Sequence, residues 1–139
     1  AALDTKRFYS LNTIYNLTSL KSNLSYRFIL ALLNSKLLGF FWKANFSDSK
    51  LLFPKVKKAY LDQLPIHLAS ESEQQPIITL VDRMLELNKR LSEIGDKQST
   101  ERHELEQEIK HTDVQIDDLV YKLYGITEEE KKVIEASFS

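Results

Sequence analysis

Three lysines within four positions, Lys55, Lys57 and Lys58, are the residues of this sequence best suited to chemistry with a charged ligand. They lie in Phe53-Pro54-Lys55-Val56-Lys57-Lys58-Ala59-Tyr60-Leu61-Asp62-Gln63-Leu64-Pro65-Ile66, between a basic, aromatic half and an acidic, heptad-patterned half. Ammonium groups so closely spaced suit phosphate, whose charge they neutralise. They equally suit an edge strand, where lysines block edge-to-edge pairing. A residue before proline is biased to extended geometry, so Phe53 and Leu64 are expected to be extended. Val56, Leu61, Leu64 and Ile66 can face a core, leaving the lysines to solvent or phosphate.

Other reactive constellations are missing from the sequence. No Gly-rich loop follows a strand pattern, and there is no Gly-Lys-Ser/Thr phosphate cradle. Of the three histidines, His67 falls in a linker, while His103 and His111 are eight apart on one helix; a zinc pair on a helix needs a spacing of four. No metal site is expected. Glu101, Glu104, Glu106 and Glu108 read as a solvated helix face, and Asp113, Asp117 and Asp118 are read the same way. No catalytic residue is assigned.

The 139 residues fit one domain, or one small domain with an appendage, and a composition 42% hydrophobic and 28% charged is that of a globular chain. The absence of cysteine excludes disulfides and thiolate metal sites, and is compatible with a reducing cytoplasm, the expected location. The longest apolar run, Leu37-Leu38-Gly39-Phe40-Phe41-Trp42, is far short of the roughly 20 residues of a membrane span, so no membrane partner is expected. The chain starts without methionine and reads as a piece of a longer protein. A net charge of −1 hides an asymmetry: residues 1–65 carry ten Lys/Arg against three Asp, a net +7, and residues 66–139 nine against seventeen Asp/Glu, a net −8. The basic half suits an acidic partner, of which nucleic acid is the usual one.

The elements that would position these residues follow from periodicity. Residues 7–18 alternate imperfectly and are rich in β-branched and aromatic side chains, which predicts a strand. Lys21-Ser22-Asn23 reads as a turn, with Ser25 or Asn23 capping a helix over 25–43 whose apolar stripe includes Phe28, Ile29, Leu32, Leu33, Leu37, Phe40 and Phe41. That helix is expected to pack on a sheet, with Trp42 in the core. Asn45 to Lys50 reads as a loop. Beyond Ala69, Ser72 and Gln75 fit a capping box. Ile77, Leu80, Met84, Leu87, Leu91 and Ile94 then form a heptad seam closed by Gly95. Leu105, Ile109, Thr112, Ile116, Leu119 and Leu123 form a second seam after Ser99-Thr100, ended by Gly125. The short loop between the seams predicts an antiparallel hairpin of coiled-coil character, with Ile109 and Leu119 facing the seam and Glu106 and Glu108 facing away. Thr127 and Glu130 make a capping box for a short last helix.

Three stretches together resemble a known family: Phe8 to Leu17, Leu30 to Leu37, and Phe53 to Ile66. Their order is similar to that at the C-terminal end of TaqI-like specificity domains, found in adenine-specific DNA methyltransferases and type IIG restriction-modification enzymes. Leu64-Pro65-Ile66 with Glu73-Gln74 and Ile77 resembles the junction to the spacer helix in type I specificity subunits, and Ile116 to Glu130 resembles the tail of these enzymes. The resemblance implies binding of double-stranded DNA next to a methyltransferase domain or subunit. It also implies that methyl transfer, with S-adenosylmethionine, belongs to a separate domain bearing an Asn/Asp-Pro-Pro-Tyr/Phe motif. No Pro-Pro pair occurs here, so no cofactor is expected in this chain.

The combined expectation is an α+β fold: a strand-helix-strand half over 1–68, the distal half of a recognition domain, and a helical hairpin spacer with a C-terminal helix over 69–139. The candidate DNA contacts are Lys55, Lys57, Lys58, Lys43 and Lys50, with Asn12, Tyr15 and Arg27 as candidates for closer contact; the alternatives for these last three are a turn residue, a core aromatic and a solvated helix charge. The competing function is a protein-interaction module whose hairpin dimerises or docks on a partner.

Overall fold

The computed structural model describes residues 23–46, 62–96 and 98–138, and five helices occur among them. They are α1 (Tyr26–Asn34), α2 (Lys36–Phe46), α3 (Glu71–Ile94), α4 (Thr100–Leu123) and α5 (Glu128–Ala136). The α+β class expected from the sequence is corrected: among the described residues every regular element is a helix and there is no strand or sheet. The stripe that was to cover a sheet is covered by a helix instead. Phe28, Ile29, Ala31 and Leu32 of α1 form one core cluster with Ile77 and Val81 of α3 and Ile116 and Val120 of α4. The strand expected over 7–18, the extended geometry expected at Phe53, and the lysine cluster Lys55, Lys57 and Lys58 lie outside the described residues.

The hairpin is the largest element. α3 and α4 are each 24 residues long, about 36 Å. Ile77, Leu87, Leu105, Thr112 and Ile116 of the expected seams are buried, and Leu80, Met84, Leu91, Ile94, Ile109, Leu119 and Leu123 are partly so. The seams therefore face inward. Glu108 is exposed and pairs with Arg83 across the hairpin at 3.3 Å. At the turn Gly95 takes φ 76°, a region open to glycine, and Arg102 donates to its carbonyl while its Nε lies 3.0 Å from Glu106. Ser99 caps α4 by accepting from Arg102 N, and Thr127 with Glu130 forms the expected capping box of α5.

Two boundaries differ from expectation. The box opening α3 uses Ser70 and Glu73 rather than Ser72 and Gln75. Both pairs have the right spacing, but Glu73 brings a carboxylate to the positive end of the helix, where it accepts from Ser70 N at 2.8 Å. The helix expected over 25–43 is broken at Ser35, whose φ of −70° and ψ of 152° are extended. Its hydroxyl donates to Leu32 O at 2.7 Å and accepts from Leu38 N at 3.3 Å. Ser35 thus closes α1 and opens α2, as a serine can when its hydroxyl competes for backbone partners. α2 then continues through Asn45, expected in a loop, whose side chain donates to Phe41 O at 2.8 Å. Trp42 is partly buried.

Candidate functional site

Of the eight candidate contact residues, Arg27 and Lys43 are described; Asn12, Tyr15, Lys50, Lys55, Lys57 and Lys58 lie outside the described residues. Arg27 projects from the first turn of α1, half exposed, with Nε 2.7 Å from Asp82 of α3. Lys43, in the last turn of α2, places Nζ 4.1 Å from the centroid of the Phe138 ring and 3.5 Å from Ser137 O, beyond the end of α5. A cation there complements the negative end of that helix. The two are directed to different helices. Each is engaged by the C-terminal half of the chain rather than held out with the other.

The polar chemistry that the structure gathers lies where α2 meets α4 and α5. Lys36 N, the first amide of α2, donates to Asp117 Oδ1 at 3.0 Å, so a carboxylate 81 residues away in sequence caps the helix. Lys36 Nζ reaches Glu135 Oε2 at 2.8 Å, and Tyr121 OH donates to Glu135 Oε1 at 3.0 Å. Lys131 pairs with Asp118 at 2.7 Å beside them. Asp117 was expected on a solvated face; it is buried, only 4% exposed. The burial pushes its carboxyl up to about 6, against the opposing pull of the Lys36 amide and with a further push from Asp113. The bond to Lys36 holds Glu135 below the usual carboxylate range, and the same bond raises Lys36. Burial, then the Glu135 bond, raises Tyr121.

Two more side chains fasten the junction between the halves. Gln74 is 2% exposed; its Oε1 accepts from Ser25 N at 2.9 Å, and its Nε2 donates to Ala69 O at 3.0 Å and Asn23 O at 3.3 Å. It therefore ties the start of α1 to the start of α3. Tyr124 OH donates to Pro65 O at 2.6 Å and accepts from His67 N at 3.0 Å. That pins Leu64-Pro65-Ile66, with Leu64 and Ile66 packed against the core as their spacing predicts. Sequence reasoning does not find Gln74, Asp117, Tyr121 and Tyr124 as a connected set. Its nearest signal is the presence of a polar residue, Asp117, directly beside the seam residue Ile116.

These groups are bonded to one another. Between α2 and α5 runs an apolar groove of about 340 Å³, lined by Leu37, Phe40, Ala44, Ile126, Val133 and Ile134 among others. Glu130 is the carboxylate on its wall, and no serine or histidine lines it. Among the described residues no cluster of His, Asp and Glu could hold a metal ion, and no helix is long and apolar enough to cross a membrane.

No curated protein and no solved structure matches the chain. A family model does: residues 1–66 match the TaqI-like C-terminal specificity domain, and the matched range takes in α1, α2 and the pinned Leu64-Pro65-Ile66. The match ends where Tyr124 fastens the chain, just before α3, and covers just under half of the sequence. Over residues 1–66, then, the chain is similar to the TaqI-like C-terminal specificity domain.

Proposed function

We propose that the chain is a DNA target-recognition region of a restriction-modification methyltransferase, non-catalytic by itself, in which the helical half acts as a spacer. The observation that carries this reading is the specificity-domain match over residues 1–66. The net +7 of residues 1–65 supports it, since phosphate contacts supply a large share of the affinity of DNA-binding proteins and position them on the duplex. The partner is a methyltransferase domain or subunit that binds S-adenosylmethionine, and the location is the cytoplasm. Lys55, Lys57 and Lys58 would hold phosphates, with Lys50 adding to the basic field, and Asn12 and Tyr15 are the candidates for closer contact; Arg27 and Lys43 are engaged within the chain.

The hairpin seams favour this reading over a dimerisation module. Their apolar residues are turned into the monomer, and the large apolar side chains left exposed on α3 and α4 are Leu85 and Val114, outside both seams. The reading is tested by fluorescence titration of a labelled duplex with the full chain at several salt concentrations. Affinity should fall log-linearly with salt, by about 0.9 in slope for each phosphate neutralised. Absence of binding at low ionic strength would contradict it.

A further inference from the structure

The attachment of α2 to the rest of the molecule has an unusual chemistry. The first amide of this helix rests on a carboxyl that is almost wholly buried. The groups facing that carboxyl are Lys36 from α2, Glu135 from α5, and Asp113 and Tyr121 from its own helix α4. Two of the four are acids, and the one cation is already bonded to Glu135. A carboxylate deprived of water and set near two others is costly to ionise, and proton uptake removes that cost.

We propose that Asp117, with Lys36, Glu135 and Tyr121, forms an acid-tightened latch that holds α2 on the hairpin. In the undocked state Asp117 meets water and behaves as an ordinary carboxyl. Docking removes it from water and makes it a stronger proton acceptor, so protons favour the docked state. The latch is then tightest below the ordinary carboxylate value of the undocked group, about 4, loosens as pH rises from there, and has lost this contribution once pH passes the docked group's midpoint, about 6. Glu135 has the opposite sign. Its lowered value means that the Lys36 bond holds above the ordinary carboxylate range and fails only in stronger acid. Between about pH 5 and 7.5 Asp117 is therefore the group of this knot that sets the trend. The latch operates in the free chain, without DNA.

The test compares the full wild-type chain with Asp117→Asn, which keeps a neutral acceptor for Lys36 N. For wild type, the folding equilibrium should strengthen about tenfold from pH 7.5 to 5, about 1.4 kcal/mol. Subtraction of the Asp117→Asn profile removes contributions common to both proteins, and that difference should retain the tenfold change. The amide resonance of Lys36 in wild type should titrate with a midpoint near 6. A pH profile unchanged by the substitution overturns the latch. So does a carbon-13 titration of the Asp117 carboxyl with a midpoint below 4.5, a measurement that decides the matter even where Asp117→Asn does not fold.

Discussion

Gln74 bonds residues 49 and 51 positions away, Tyr124 residues 57 and 59 away, and Asp117 one 81 away. All three use side chains to satisfy backbone groups that a short helix or a linker leaves open. Buried polar groups are worth little net when paired but costly when orphaned. Gln74→Ala should therefore destabilise the chain by about 2–3 kcal/mol, because it strands Ser25 N and the carbonyls of Asn23 and Ala69. Gln75→Ala, one residue along and exposed, should change stability by less than about 0.5 kcal/mol. Chemical denaturation of both variants checks this; equal effects would mean that the Gln74 amide is not the clamp described. The Arg27–Asp82 pair is of another kind. Both partners are about half exposed, so it contributes about 0–1 kcal/mol at most and is screened by salt.

Among the elements, the hairpin was the most legible from sequence and the N-terminal half the least. Seam residues repeat every three or four positions along 24-residue helices, and serine, threonine and glycine mark the ends, so local chemistry sufficed for Ser99, Gly95, Thr127 and Glu130. The start of α3 was misplaced by two residues because Ser70 and Ser72 each stand three before a Glu or Gln. The break at Ser35 is hidden because only part of its cause is local: the Ser35 hydroxyl bonds its neighbours, but Asp117, far along the chain, supplies the acceptor for Lys36 N. The expected sheet failed for a similar reason. The stripe of α1 shows that something apolar covers it, while only the fold shows that Ile77 and Val81 of α3 do so. The seam assignment has a direct check. Ile116→Ala should cost about 2–5 kcal/mol, since its side chain is buried in the core. Glu108→Ala, exposed and paired with Arg83 at 3.3 Å, should cost less than about 0.5 kcal/mol. Comparable losses in thermal unfolding would show the face of α4 to be misassigned.

In the whole molecule the opposite charges of the two halves have a structural use. Arg27 pairs with Asp82, Lys36 with Glu135, and Lys43 rests against the end of α5. Part of the positive charge of the family-matching segment is thus used in joining α1 to the hairpin and α2 to α5. A single core cluster runs through α1, α3 and α4 and supports the same junction. In the proposed spacer role, a hairpin attached in this way would transmit orientation as well as distance, because α1 and α2 are fixed against the helical half at several points. This internal use of Arg27 and Lys43 shifts the weight of the DNA reading onto Lys55, Lys57 and Lys58, the densest cationic cluster in the sequence.

DNA binding through the lysine stretch is tested most directly by replacing those three lysines together with alanine and titrating duplex DNA by fluorescence at several salt concentrations beside the wild type. Binding should weaken by a similar factor on DNA of different sequence, since phosphate contacts position a protein without reading bases. The log–log salt slope should become shallower by about 0.9 for each phosphate that the alanines leave unneutralised. Unchanged affinity with an unchanged slope would contradict the DNA reading of this stretch, remove it from the interface, and leave protection of a strand edge as the better explanation of the cluster.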